Sequence, residues 1–225
     1  MKKFDKLNTD AYDSQIALNF HKRVGINVDI THRCPLECLR CQRYTSFTSK
    51  GFKVPGEDMP LDRFEKILDK FHHINFCGQV SDPVHHPKFL EILKMCNDRE
   101  KRISVHHASA GKPESWYPKA YAAAPHARWF FGLDGLPSES HKYRKNQDGE
   151  KMFRIMIEAT KHLLTPPIWQ YIVFSYNENN VEEAVKLIEG VDNIMLRVVH
   201  SSRWLGDHDW LKPTNPESSL SLRSN

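Results

Sequence analysis

Segments with the pattern of β-strands alternate with segments of helical pattern along most of this chain. Six stretches rich in β-branched and aromatic residues favour strands, at 26–31, 73–78, 102–109, 127–135, 167–175 and 193–200. Apolar residues recur at helical spacing in the intervening stretches 61–71, 88–98, 114–124, 150–164 and 180–190. Such alternation predicts a parallel sheet with right-handed crossovers and helices on the outside.

The number of strands limits the kind of barrel that the chain can form. A closed eight-stranded barrel typically needs about 250 residues, whereas the strand pattern here occupies residues 26–200. We therefore predict an α/β fold, a partial (β/α)6 TIM-like barrel with parallel strands and outer helices. Residues 1–25 are expected to form an N-terminal extension with a short helix. Residues 201–225, rich in Ser, Asn and Pro, are expected to form a loosely ordered C-terminal tail.

Composition favours a soluble globular protein of a reducing compartment. The chain is 40% hydrophobic and 27% charged, which is ordinary for such proteins. No apolar run reaches the length of a membrane span and none follows the basic start, so we expect neither a transmembrane helix nor a signal peptide. Five cysteines, an odd number, indicate the cytoplasm. Acidic residues interrupt or flank the basic clusters at 99–102 and 141–145, which favours a solvated surface over a nucleic-acid partner.

Three of the five cysteines lie close together in CPLECLRC (34–41), directly after the first predicted strand. The C-x3-C-x2-C spacing of Cys34, Cys38 and Cys41 fits neither a disulfide framework nor the paired C-x2-C ends of a zinc site. In parallel β/α arrays, the loops that follow the strands carry the reactive groups. Four thiolates close a [4Fe–4S] cluster, whereas three leave one iron open to a ligand. The loop therefore predicts an open, catalytic metal site.

The cysteine motif resembles the signature of the radical SAM superfamily, whose usual core is a partial barrel of six β/α units. FCGQVSDPVHHPKFLEIL (76–93) resembles the family's second-strand segment. FGLDGL (131–136) followed by HKYR (141–144) is similar to a segment of peptide-modifying branches, among them the anaerobic sulfatase-maturating enzymes. YIVFSYNENNVEEA (171–184) resembles the fifth strand and the following helix. The resemblance covers roughly residues 26 to 200.

The resemblance implies two cofactors and the residues that hold them. Cys34, Cys38 and Cys41 would ligate a [4Fe–4S] cluster, and S-adenosylmethionine (SAM) would bind the open iron through its amino and carboxylate groups. Gly78 would supply close backbone approach to the SAM amino group. Asp82 would accept from that group, in the place where the family usually has Glu.

Further SAM contacts follow from matched positions. Arg144 would face the SAM carboxylate, and Arg40, where the family usually has an aromatic residue, would stack on the adenine. Gln79 stands within the segment that is Gly-Gly-Glu in many members. Gly132 stands where Ser often precedes Leu-Asp-Gly, so that hydroxyl contact is absent.

The remaining candidate positions leave alternatives open. Asp134 is a candidate SAM contact, or it shapes the turn before Gly135. Ser109 and Ser175, at the ends of the third and fifth predicted strands, are candidate contacts of the ribose or the substrate from their position alone.

Cys77 and Cys96 are expected to pack in the interior, the first in a strand and the second on the apolar side of a helix. The histidine pairs at 85–86 and 106–107 lie near predicted strand ends. They would contact substrate, transfer protons or stand exposed on loops.

The implied reaction is reductive cleavage of SAM to methionine and a 5′-deoxyadenosyl radical, which abstracts hydrogen from a substrate C–H bond. The partner would be a one-electron donor such as flavodoxin or ferredoxin. No cysteine lies beyond Cys96, so we expect one cluster and no auxiliary clusters. The peptide-modifying branches favour a peptide or protein side chain as substrate. The alternative is a small molecule, as in the enzyme that makes 7-carboxy-7-deazaguanine, although its distinctive cysteine spacing is absent here.

A function of another class stays open. The three cysteines with His32, His85 or another distant histidine would complete a structural zinc site. The chain would then be a non-enzymatic interaction module that contacts nucleic acid through its basic stretches.

Overall fold

A computed structural model gives the structure of the protein and describes residues 24–191, 193–201, 204–205 and 209–214. Within these residues, six parallel strands form one sheet in sequential order. The strands are β1 (Gly25–Asn27), β2 (His73–Cys77), β3 (Arg102–His107), β4 (Arg128–Gly132), β5 (Ile168–Val173) and β6 (Met195–His200). The sheet stays open, with β1 and β6 at its two edges. The predicted α/β partial barrel is confirmed.

Helices connect the strands in the alternating order that the sequence predicts. They are α1 (Gln42–Ser46), α2 (Leu61–Lys70), α3 (Phe89–Asp98), α4 (Tyr117–Ala123), α5 (Gly149–Ala159) and α6 (Val181–Glu189). Helix α2 buries Phe64 and Leu68, which lie four residues apart and so on one face. Helix α5 begins after Asp148, whose carboxylate accepts a hydrogen bond from the Lys151 N–H at 2.9 Å, as an N-cap does.

The element bounds differ from the predictions where local contacts intervene. Strand β1 ends at Asn27 because the chain then leaves β2, and the Ile30 carbonyl accepts from the Met59 N–H at 2.8 Å. The predicted helix 114–124 begins as a short 3-10 turn before α4. Helix α5 ends at Ala159, earlier than predicted.

The two faces of the sheet have different chemistry. On the outer face, Ile74, Phe76, Val105, Trp129 and Trp169 are fully buried against the helices. Burial of a large apolar side chain contributes roughly 1.5–3 kcal/mol, so this face carries the core. Residues on the inner face of β2 alternate with the buried ones and are only half-buried, because the open sheet does not close over them.

The ends of the described chain bear on the predicted domains. The predicted extension 1–25 lies outside the described residues except for 24 and 25. In the described part of the tail, Leu211 is fully buried and its carbonyl accepts from the Ser175 N–H at 3.1 Å. The division into 1–25, 26–200 and 201–225 stays a prediction. Among the described helices, none has the length and hydrophobicity to cross a bilayer.

Candidate functional site

The three-cysteine loop lies over the carboxyl ends of the strands and is tied to the loop before α5. The Glu37 N–H donates to the Lys145 carbonyl at 3.2 Å, and the Leu39 N–H donates to the Tyr143 carbonyl at 3.3 Å. Cys41 directly precedes α1. These backbone bonds hold the loop against the sheet end, where parallel strands converge.

The loop closes over a cavity of about 280 Å³ that all three of its thiols line. The other walls come from Leu36 of the same loop, from the ends of β2 to β5 and from the loops that follow these strands. They are Leu36, Cys77, Gly78, Ser81, Asp82, His106, His107, Ala108, Phe130, Gly132, Tyr143, Arg144, Gln170 and Ile172. The structure therefore brings together the loop cysteines and three more of the predicted site residues, Gly78, Asp82 and Arg144.

Burial controls the protonation of the thiols. It raises the pKa of Cys34 to about 12 and that of Cys38 to about 11, because a thiolate is poorly solvated there. A bound cation reverses this preference, since a coordinated thiol loses its proton. Among the described residues, no three His, Cys, Asp or Glu side chains are gathered as the ligands of a single metal ion.

Arg144 and Asp134 form a buried pair at one wall of the cavity. The Arg144 Nε lies 2.8 Å from Asp134 Oδ2, although the two atoms are not aligned as a hydrogen bond. Asp134 Oδ1 also accepts from the Ile172 N–H at 2.8 Å. Burial raises the pKa of Asp134 and opposes the charge on Arg144, while their attraction favours both charges. We take the pair as ionised because a guanidinium does not lose its proton in proteins.

Gly132 makes room for this arginine. A Cβ added at Gly132 would lie 2.8 Å from Arg144 Nη2 and 3.2 Å from the Ala108 Cβ. The glycine thus allows the guanidinium to lie against the end of β4.

Asp82 links the loop after β2 to the loop after β3. Its carboxylate accepts backbone N–H bonds from Val84 at 3.2 Å, Ala108 at 2.9 Å and Ser109 at 2.8 Å. Burial raises its pKa to about 6, although these hydrogen bonds oppose the shift. Three bonds leave part of the acceptor capacity of the carboxylate unused.

The segment after β2 turns sharply at Gly78. A Cβ at this position would lie 1.9 Å from the Ser81 carbonyl oxygen, so glycine is required for the turn. Asp29 holds the same turn, accepting from the Gln79 N–H at 2.9 Å and from the Ser81 hydroxyl at 2.6 Å. Gln79 itself is exposed and does not line the cavity.

Five predicted contacts lie outside the cavity lining: Gln79 and Asp134, described above, and three more. Arg40 pairs with Asp209 at 2.8 Å. The Ser109 hydroxyl is buried beside the His85 ring, 2.9 Å from Nε2. The Ser175 hydroxyl donates to the Trp210 carbonyl. The structure gives these last three side chains other partners and does not bring them to the thiols.

Of two further residues of the cavity, sequence reasoning missed Cys77, whereas His107 belongs to a histidine pair that it singled out. Cys77 lines the cavity instead of packing in the core; the alternation of β2 places it on the inner face with His73 and Asn75 and was the available signal. His107 is buried, and burial lowers its pKa to about 3, which keeps it neutral. The Ser109 backbone is near its ring, but neither ring nitrogen makes an aligned hydrogen bond.

Comparisons with known proteins find likeness in structure alone. No protein-family model and no curated protein matches the chain. SuiB from Streptococcus suis matches with a TM-score of 0.68 and 12% identity, over 96% of this chain and 50% of SuiB. anSMEcpe with bound AdoMet matches with a TM-score of 0.58 and 18% identity, over 78% of this chain and 51% of anSMEcpe. TYW1 with a lysine-pyruvate adduct matches with a TM-score of 0.58 and 13% identity, over 81% of this chain and 66% of TYW1.

These matches establish the fold. The chain spans about half the length of SuiB and anSMEcpe. The chain shares its fold with SuiB, anSMEcpe and TYW1. A structure of SuiB contains S-adenosylmethionine and another contains the precursor peptide SuiA.

Proposed function

We propose that this protein, whose fold is consistent with the radical SAM superfamily, is an enzyme that binds a [4Fe–4S] cluster and reductively cleaves SAM. One observation carries the proposal. Cys34, Cys38 and Cys41, spaced C-x3-C-x2-C, all line one cavity at the carboxyl end of an open parallel sheet. Reactive groups of parallel β/α folds gather at this end.

The residues of the cavity suit an iron–sulfur cluster. Its donors are three thiols from one loop, and thiolates are the usual ligands of such clusters. Leu36, Tyr143 and Ile172 form an apolar part of the wall, which excludes water. The cluster would supply the single electron that cleaves SAM to methionine and a 5′-deoxyadenosyl radical, and the protein would orient the reactants.

Two charged residues suit the amino acid end of SAM. Arg144 offers guanidinium donors to a carboxylate, and Asp134 positions it. Asp82 retains acceptor capacity for an ammonium group, and the Gly78 turn brings backbone close to it. Arg144, Asp82 and Gly78 line the same cavity as the thiols, as a ligand that also binds iron requires.

A peptide or protein side chain is the substrate class that we favour. SuiB has been seen with its precursor peptide and anSMEcpe with the Kp18Cys peptide, in the same fold. The small-molecule alternative has the support of TYW1, which shares the fold and whose structure contains a lysine-pyruvate adduct. We further propose a one-electron donor such as flavodoxin or ferredoxin, and a cytoplasmic location.

Anaerobic reconstitution with iron and sulfide tests the proposal. We expect about four irons per chain and release of 5′-deoxyadenosine and methionine from SAM after reduction. Cys38→Ala should abolish both. Cys96→Ala is the matched control, because Cys96 is buried in the core away from the cavity, and it should retain both.

The zinc-module alternative predicts a different result. Stoichiometric zinc, no iron–sulfur absorbance and no release of the nucleoside would overturn the enzymatic proposal. Loss of iron in Cys96→Ala with retention in Cys38→Ala would show that the ligands are wrongly assigned.

A further inference from the structure

The inner face of the sheet is polar below the cysteine cavity. Along β3, Arg102, Ser104 and His106 share this face, since side chains alternate along a strand, and Ile103 and Val105 are buried on the other. In closed barrels of this type, branched apolar side chains fill the interior. In the part of the chain that the structure describes, the inner faces of β2 and β3 are polar and the sheet is open to one side, so this face is available to a ligand.

Two guanidiniums flank one aromatic ring on this face. Arg128 Cζ and Arg197 Cζ each lie 5.8 Å from the centroid of the Phe130 ring. The His106 ring stacks on Phe130 with centroids 4.0 Å apart and an interplanar angle of 4°. Cation–π contacts hold the arginines in place, and both arginines are exposed. Phe130 and His106 also line the cysteine cavity, so the two guanidiniums lie next to that cavity.

A second cavity, of about 620 Å³, lies at the amino ends of β2, β3 and β4. Its cationic lining is Lys101, Arg102 and Arg128, with His73 and His126 beside them. Glu100 is the acidic residue among the lining residues that the structure describes. Positive charge therefore predominates around this space.

The inner-face arginines have few competing partners. In the part of the chain that the structure describes, Arg102, Arg128 and Arg197 form no ion pair with an acidic side chain. Burial, together with Arg102 and Arg128, lowers the pKa of His73. Burial and Arg197 lower that of His106 to about 4. Both shifts agree with uncompensated positive charge on this face.

We propose that this inner face binds an anionic group of the substrate, a phosphate or a carboxylate, through Arg128, Arg197 and Arg102. That the bound anion is part of a substrate rests on the proposed function. Guanidinium forks match both oxyanions in a bidentate manner. The bound anion balances charge that no described protein group balances.

Strand geometry gives the size of this substrate. Arg128 lies two residues before Phe130 along β4, or about 7 Å at 3.3 Å per residue. Arg102 lies four residues before His106 along β3, or about 13 Å. In the strand register Arg197 is level with Gln170 and Gly132 of the cavity lining. An anion held between Arg128 and Arg197 therefore lies within about 7 Å of the layer that lines the cysteine cavity, with Arg102 farther along β3. This span fits a nucleotide or a short peptide with an acidic side chain.

Calorimetric titration of the full-length chain, before any cluster reconstitution, tests the proposal. The probes are inorganic phosphate and succinate, which carry similar charge. We expect at least one to bind, and the Arg128→Gln/Arg197→Gln variant to bind it about tenfold more weakly or worse, as expected for lost charge-assisted hydrogen bonds. Tighter binding of phosphate indicates a phosphorylated substrate, and tighter binding of succinate an acidic side chain. Failure of both probes to bind overturns the proposal.

Matched variants separate a site from general surface charge. Arg154→Gln also removes one positive charge, but Arg154 lies on α5 and pairs with Glu114 on the outside; it should bind the anion like the wild type. Arg102→Gln should weaken binding, which gives a second variant if the double variant does not fold. Equal weakening by Arg154→Gln and Arg102→Gln would overturn the site.

The two proposals can fail separately. The Arg128→Gln/Arg197→Gln variant should still load iron and cleave SAM without substrate, since neither arginine lines the cysteine cavity. Anion binding without any cluster would refute the enzymatic proposal alone. Cluster and SAM cleavage without anion binding would refute the inner-face site alone.

Discussion

Gly132 decides where the Arg144 guanidinium lies. The resemblance described in the sequence analysis implies only the loss of a serine hydroxyl at this position, whereas the structure shows what the smaller residue permits. Arg144 approaches so closely that an added Cβ would lie 3.0 Å from its Cζ. Because Asp134 Oδ2 lies 2.8 Å from the Nε of the same guanidinium, the arginine cannot easily move away.

We therefore expect Gly132→Ala to weaken SAM binding about tenfold, the cost of one misplaced charge-assisted hydrogen bond. Iron content should stay unchanged, because the thiols are untouched. Equilibrium dialysis of SAM with the reconstituted protein measures the effect. The control is Gly190→Ala, where an added Cβ meets nothing within 4 Å. Unchanged SAM affinity in Gly132→Ala would remove Arg144 from the proposed SAM contacts.

The cysteines show how far residue-by-residue inference from sequence extends. The expected packing of Cys96 is confirmed, since it is fully buried in the core. Cys77 differs because its burial depends on which face of β2 is covered. The sequence predicts the strand, but only the closure of the sheet determines whether its inner face is filled.

At the scale of elements, Gln147 ties two strand ends together. Its Nε2 donates to the Ala108 carbonyl at 2.5 Å and to the Gly132 carbonyl at 2.8 Å. Its Oε1 accepts from the Ser140 hydroxyl. The residue thus joins the ends of β3 and β4 beside the cavity.

Replacement of this side chain should destabilise the fold. Gln147→Ala leaves two carbonyls without their donor, at about 1–3 kcal/mol for each buried group, so we expect a loss of about 2–4 kcal/mol in the free energy of unfolding. Urea denaturation measures it. Gln42→Ala, at an exposed position on α1, should change stability by less than about 0.5 kcal/mol. Similar midpoints for both variants would contradict the role of Gln147.

Element positions follow from sequence where periodicity is strong and less well where long-range partners decide. Helix α2 begins and nearly ends as predicted because its apolar residues repeat every three to four positions. Strand β1 is shorter than predicted because the Ile30 carbonyl pairs with Met59. That pairing depends on the path of the 54–59 segment, which carries no local signal.

Across the whole molecule, the end of the described chain covers the cysteine loop. Leu211 packs in a cluster with Leu36, Cys38, Tyr143 and Phe174. Asp209 adds an ion pair to Arg40 and accepts the N–H groups of Leu205 and Leu211. The composition of this tail, rich in Ser and Pro, did not predict these contacts, because they join residues about 170 positions apart in the sequence. The segment 209–214 therefore belongs to the wall behind the thiols.

This covering should protect a cluster from oxygen. Leu211→Ala removes a fully buried side chain, at a cost of about 2–5 kcal/mol, and so loosens the segment over Cys38. We expect the iron–sulfur absorbance of the reconstituted variant to bleach several-fold faster in air, because water and oxygen reach the thiolates more often. Leu205→Ala provides the control, since Leu205 is 75% exposed, and should bleach at the wild-type rate. Equal bleaching of the two variants would show that the segment does not shield the cluster.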